Sequence, residues 1–214
     1  MSDNRAQKAS PTYRLPALDE DFILGDTTRG VRFLLEYQKA EEALRAARIA
    51  STIVVFGSAR MRAGGLAVAE NWYAEARRFG KIASERGGAL DHAGERHNVI
   101  ATGGGPGLME AANRGAYEAG APSIGFNITL PREQEPNAYT TPGLTFRFHY
   151  FAMRKMHFAM RASALVVFPG GFNLEQMVEA GTIEQEDLDL FGFADSAEKT
   201  WAELVGRGLA IPRS

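Results

Sequence analysis

The sequence predicts an α/β protein with a Rossmann-like, doubly wound parallel sheet and helices on both faces. Short, uninterrupted apolar runs rich in β-branched residues recur at 52–56, 98–102, 122–127 and 164–168. Runs of that length suit strands buried on both faces. They alternate with helical patterns, which is the order of a parallel sheet covered by its own crossovers. Three of the runs end in small or polar turns, Gly57-Ser-Ala-Arg60, Thr102-Gly-Gly-Gly-Pro-Gly107 and Pro169-Gly-Gly171. Right-handed crossovers bring all strand ends of one polarity to one rim, where ligands of such sheets bind.

Residues 1–28 are polar, contain Pro11 and Pro16, and read as an irregular arm; residues 29–214 read as one nucleotide-binding domain. Gly30–Ala47 carries apolar residues at Val31, Leu34, Leu35, Ala43 and Leu44, a helical stripe. Thr52–Phe56 is the first strand. Leu66–Arg86 is a long helix stopped by Gly87-Gly88. Asn98–Thr102 is the second strand, and the glycine loop then opens a helix over Leu108–Ala119. Pro122–Asn127 is the third strand and 128–146 a long loop. Tyr150–Arg161 is a helix, with Met153, Met156 and Met160 as its packed stripe. Ala164–Phe168 is the fourth strand, and Ser196–Val205 a closing helix.

The 214 residues carry a net charge of −2, without the Lys/Arg excess of a nucleic-acid footprint. There is no cysteine, which excludes disulfides, thiolate metal sites and thiol catalysis. No apolar run reaches the roughly 18–20 residues of a membrane span, and the polar start lacks the apolar core of a signal peptide. The expectation is a cytoplasmic protein with neither nucleic-acid nor membrane partners. His149 and His157 have no companions at metal-ligand spacing, so no metal site is expected.

The candidate site is built on the loop Thr102, Gly103, Gly104, Gly105, Pro106, Gly107. Glycines admit positive φ and let an anion approach the backbone, and the following helix aims unpaired N–H groups at it. No Lys-Ser/Thr pair follows, so this is not a P-loop. No acidic residue sits where a dinucleotide fingerprint needs one. Gly57, Ser58 and Arg60 form a second turn: a hydroxyl and a guanidinium suited to a sugar or phosphate, or a plain strand-to-helix turn with a surface arginine. Arg154 and Lys155 are adjacent on a helix, about 100° apart, so only one faces a given site. Gly170 and Gly171 supply another close-approach turn at the same rim.

Taken in order, Phe56-Gly-Ser-Ala-Arg60, Gly103-Gly-Gly-Pro-Gly-Leu-Met-Glu-Ala-Ala-Asn113, Ser123-Ile-Gly-Phe-Asn-Ile-Thr-Leu-Pro-Arg-Glu-Gln134, Met153-Arg-Lys155 and Pro169-Gly-Gly171 resemble the Lonely Guy (LOG) family, also catalogued as possible lysine decarboxylases. The resemblance implies a phosphoribohydrolase that cleaves the N-glycosidic bond of nucleoside 5′-monophosphates, AMP-like or cytokinin riboside monophosphates, to free base and ribose 5-phosphate. It implies that Arg154 is the active-site arginine. It places substrate or phosphate contacts at Gly57, Ser58, Arg60, Thr102, Gly103–Gly105, Gly107, Glu110, Lys155, Gly170 and Gly171. It implies no metal or organic cofactor, and a homodimer. Cleavage of this kind passes through an oxocarbenium-like state and needs a carboxylate near the ribose.

The family's last motif, Pro-Gly-Gly-x-Gly-Thr-x-x-Glu, breaks off here. Asn173-Leu174 replaces Gly-Thr, and Met177 stands at the position of the catalytic Glu. Glu175 and Glu179 lie two residues away, about 200° round a helix. The segment from Asn173 to Phe191 looks like one that follows much later in the family, so a catalytic helix and a strand are expected to be missing near 172–173, exposing a sheet edge. Two alternatives accompany the hydrolase reading. One is a nucleotide-binding protein without turnover. The other, the older label, is a pyridoxal-phosphate decarboxylase with Lys155 as its Schiff-base lysine.

Overall fold

The computed structural model describes residues 3–129, 135–170, 177–178 and 184–212. Its contacts divide the chain into two units, Met1–Lys39 and Ala40–Ser214. In the first, the segment expected to be irregular is instead wound into short helices, α1 (Arg5–Ala9) and α2 (Glu20–Leu24), with 3-10 turns at Pro11–Tyr13, Pro16–Leu18 and Asp26–Thr28. Pro11 and Pro16 open their turns, where a missing N–H costs nothing. The carbonyls of Ile23 and Gly25 are taken by Arg32 Nη1 at 2.7 and 2.6 Å. Helix α3 (Arg29–Ala46) begins in this unit and ends in the next.

The second unit is a five-stranded, wholly parallel sheet in the order β4-β3-β2-β1-β5, a Rossmann-like α/β fold. The strands are β1 (Thr52–Phe56), β2 (Val99–Thr102), β3 (Ile124–Ile128), β4 (Thr145–Phe148) and β5 (Ala162–Val167). The chain steps outward from β1 to β4, then crosses back to set β5 on the other side of β1. Alternation along each strand feeds two cores. Ile53, Val55, Ile100 and Val166 pack with α4 (Ala67–Arg86), α5 (Leu108–Glu118) and α7 (Ala197–Gly206). Val54, Ala101, Ile124 and Phe126 pack on the opposite face with Ala40 and Leu44 of α3 and with Phe158 of α6 (Phe151–Met160).

Strand β4 corrects the sequence reading, which left 128–146 as loop. Residues 145–148 alternate: Phe146 and Phe148 are buried, while Thr145 and Arg147 are not. Four residues behind a Pro142–Leu144 turn are a weak period-two signal, and pairing to β3 from Gly125 to Ile128 makes them a strand. Met160 also departs from the expected packed stripe: it is exposed, whereas Met153 packs into the second core. Among the described residues β5 is an edge strand, with Leu165 and Val167 exposed. No helix among the described residues is long and apolar enough to cross a membrane.

At the N-terminal end of the sheet a buried carboxylate is held by two arginines. Arg161 sends Nη1 and Nη2 to the two carboxylate oxygens of Glu41 at 2.8 and 3.0 Å, and Nε to Ile49 O at 3.0 Å. Arg45 Nε adds a 2.6 Å bond to Glu41. Hydrogen bonds from Arg161, with Arg45 assisting, pull the Glu41 carboxyl down to about 2 against the opposing effect of burial.

Candidate functional site

The three turns predicted at one rim meet at Ser58. Its N–H donates to Pro169 O at 3.1 Å, and its carbonyl accepts from Leu108 N, the first amide of α5, at 3.1 Å. The backbones approach so closely that a Cβ on Gly57 would lie 2.7 Å from Leu108 Cβ. Gly107 has φ +78°, and a Cβ there would stand 2.8 Å from Ala59 Cα, so the loop accepts only glycine at this point. Gly170 packs against Ser58 in the same cluster. Ser58 Oγ accepts from Arg60 N at 3.2 Å, and the Arg60 side chain is exposed. Gly171 lies outside the described residues, as do Leu130–Gln134 of the quoted motif and Asn173, Leu174, Glu175 and Glu179.

Thr102, expected to contact the substrate, instead holds the glycine loop together with two side chains that the sequence reading did not single out, Asn113 and Asn137. Thr102 Oγ1 donates to Asn113 Oδ1 at 2.7 Å and accepts from Gly104 N at 2.9 Å. Asn137 Nδ2 reaches both Asn113 Oδ1 (3.0 Å) and Gly105 O (3.1 Å), while Asn137 N donates to Gly104 O at 2.8 Å. The signal for Asn113 was an amide among the apolar positions of α5, where a buried polar side chain needs partners. The anion-facing amides are fewer than the sequence suggests, because Gly104 and Leu108 donate to the protein's own oxygens. The amides of Gly105, Gly107, Met109 and Glu110 have no acceptor among the described residues. They gather at the positive end of α5.

Arg154 reaches over this loop from α6. Its Nε donates to Phe126 O on β3 at 2.6 Å, and the guanidinium lies over the Phe158 ring, 5.3 Å from its centroid. A Cβ on Gly103 would sit 2.7 Å from Arg154 Nη2. Nη1 and Nη2 find no acceptor among the described residues, and burial alone lowers the guanidinium pKa from its ordinary value. A half-buried cation pinned by one nitrogen, with its fork unpaired among the described residues and set against Gly103, has the chemistry that suits an oxyanion.

The remaining candidates lie elsewhere. Lys155 is exposed. Glu110 accepts a 3.0 Å hydrogen bond from Tyr73 OH across α4 and α5, and burial first, then Glu110, raises the Tyr73 phenol pKa. Met177 is half-buried in a helical turn. No described carboxylate pairs with Arg154. No three His, Asp or Glu side chains among the described residues gather as a metal site.

Residues 109–173 match the family described as "Possible lysine decarboxylase". That span contains Glu110, Asn113, Arg154, Lys155 and Gly170. No curated protein matches the chain. Among solved structures, the fold is similar to that of TM1055, a structural genomics target, at 23% identity and a TM-score of 0.42, over 56% of this chain and 61% of that one. It is also similar to the Moco carrier protein from Chlamydomonas reinhardtii, at 19% identity and a TM-score of 0.47, over 73% of this chain and 98% of that one. The chain thus spans less than two thirds of the TM1055 protein.

Proposed function

We propose, for a chain whose residues 109–173 carry the possible lysine decarboxylase signature, a site of the phosphoribohydrolase type that binds a nucleoside 5′-monophosphate. The observation that carries the reading is Arg154: fixed on Phe126 O, without a carboxylate partner among the described residues, and set against Gly103. A phosphomonoester supplies the missing charge. Its oxygens take the Arg154 fork and the amides at the start of α5, and that grip holds the ribose at the rim. The preference for a mononucleotide follows from the resemblance. Cleavage of the N-glycosidic bond then needs water directed at the anomeric carbon by a carboxylate, and removing such a group costs on the order of 10²–10⁴ in rate.

A second reading, binding without turnover, is favoured by one specific observation: Met177 stands where the resemblance puts the carboxylate, and Glu110 is engaged with Tyr73. The decarboxylase reading needs a lysine facing the pocket, and Lys155 is exposed. Calorimetry with AMP, run beside an assay for adenine and ribose 5-phosphate, separates these. Binding with base release above buffer hydrolysis supports the hydrolase. Binding with none supports the second reading. No binding at millimolar AMP overturns both.

A further inference from the structure

Three buried asparagines sit on or beside the central strands, and they are treated differently. Asn98 Nδ2 donates to Gly87 O and Ala210 O, at 2.9 and 2.8 Å, and its Oδ1 accepts from Ser163 Oγ. Asn113 is bonded to Thr102, Asn137 and Ile124. Asn127, at 8% exposure, has its Nδ2 fully buried with no acceptor among the described residues. An unsatisfied amide of this kind is costly, since it has given up water for nothing. Thr52 Oγ1 and Arg96 Nε share that condition, but they belong to the start of β1 and to the Ile49–Arg96 bridge, at the opposite end of the sheet from the glycine loop. Asn127 is near the C-terminal end of β3, next in sequence to the Phe126 carbonyl that anchors Arg154. Its carboxamide lies against Gly104, where φ is +72° and a Cβ would come within 2.6 Å of Asn127 Oδ1. The loop therefore keeps a bare Cα where the carboxamide meets it.

We infer that Asn127 is a ligand-binding residue of the anion site, its Nδ2 donating to an oxygen of the same phosphomonoester that Arg154 grips. The inference rests on the phosphate reading above and adds a neutral donor to it. Phe126 packs into the core that contains Phe158 of α6, so by strand alternation Asn127 points to the other face of the sheet. Arg154 Nη2 lies against Gly103 and the Asn127 carboxamide against Gly104, so a phosphate oxygen seated at these two residues would be offered both donors once Gly104 gives way to admit it, Nδ2 being fully buried. Such a bond would offset the cost of burying the amide.

The test uses the full chain, with inorganic phosphate and AMP as probes, and the variants Asn127→Asp and Asn127→Leu. Asn127→Asp keeps the shape but exchanges the donors for a carboxylate that is costly to bury unpaired, so it is expected to melt below the parent at neutral pH and to bind both probes at least 10-fold more weakly. Asn127→Leu removes the unsatisfied group, so its melting temperature without ligand is expected to equal or exceed the parent's while its affinity falls by a similar factor. Parental affinity in the Asp variant overturns the inference whatever the Leu variant does. Failure of the parent itself to bind either probe sinks the phosphate reading instead. A clear drop in the Leu variant's melting temperature, with the Asp variant binding normally, marks the carboxamide as packing.

Discussion

Arg154 and Arg161 lie seven residues apart, at opposite ends of the same sheet, and each fixes Nε on a backbone carbonyl: Phe126 O at 2.6 Å and Ile49 O at 3.0 Å. What the rest of each guanidinium finds separates them. Arg161 meets both oxygens of Glu41, whereas Arg154 meets no carboxylate among the described residues. The N-terminal end pairs its arginine within the fold, whereas the guanidinium fork of Arg154 has no acceptor among the described residues. That contrast, more than the glycines alone, is what supports the proposal that an anion binds at the C-terminal rim.

The sharpest way to break this comparison is to remove each arginine in turn. Arg161→Ala leaves the Glu41 carboxylate buried without its main partner, and a loss of about 3–5 kcal/mol is expected in urea unfolding. Arg154→Ala is expected to change stability by less than about 1 kcal/mol, since one hydrogen bond is lost and a desolvated charge is relieved. Equal costs for the two would erase the distinction. The pH dependence sharpens it. Glu41 titrates near 4.5 when unfolded and at about 2 when folded. Its contribution is therefore complete above about pH 5 and is lost as the pH falls toward 2. Thermal melts over that range should show a slope that Glu41→Gln flattens and Arg154→Ala leaves in place.

Next in size is the effect on ligand. Arg154→Ala is expected to weaken AMP binding about 100-fold, the scale of two charge-assisted hydrogen bonds in a partly desolvated site. Arg154→Lys should recover little of it, because an ammonium lacks the planar fork and cannot hold both Phe126 O and an anion. Calorimetry at constant ionic strength measures both. Retained affinity in the alanine variant would move the anion away from α6.

Much of the fold was legible from local pattern. The run Thr52–Phe56 is a strand with those limits, and the stop at Gly87-Gly88 ends α4 at Arg86. The glycine loop was legible too, because its signal lies within six consecutive residues. The rest depends on distance along the chain. Glu41 and Arg161 are 120 residues apart, and nothing near either one announces the pair. Asn113 and Asn137 clamp the loop only once β3 has carried the chain across it. That Asn127 lacks a partner is a property of the assembled rim, which no motif records. Strand β4 was missed because four residues give period two little room to show.

The smallest expected effect concerns Glu110, which the resemblance groups with substrate contacts and the structure joins to Tyr73 at 3.0 Å. If that bond is its main task, Tyr73→Phe should cost about 1 kcal/mol in unfolding and leave AMP affinity within about twofold, as removal of one partly buried hydrogen bond does. If Glu110 instead serves the ligand, freeing it from the phenol should change AMP binding by more than its change in stability. Arg114 is well placed to decide the outcome. Its Nε bonds Glu118 at 3.0 Å, and its guanidinium lies 5.4 Å from the centre of the Tyr139 ring, two residues beyond the Asn137 that clamps the loop. A freed Glu110 that swings toward Arg114 stays on the α4–α5 side, so AMP affinity is expected to depend on Arg154 and not on Glu110.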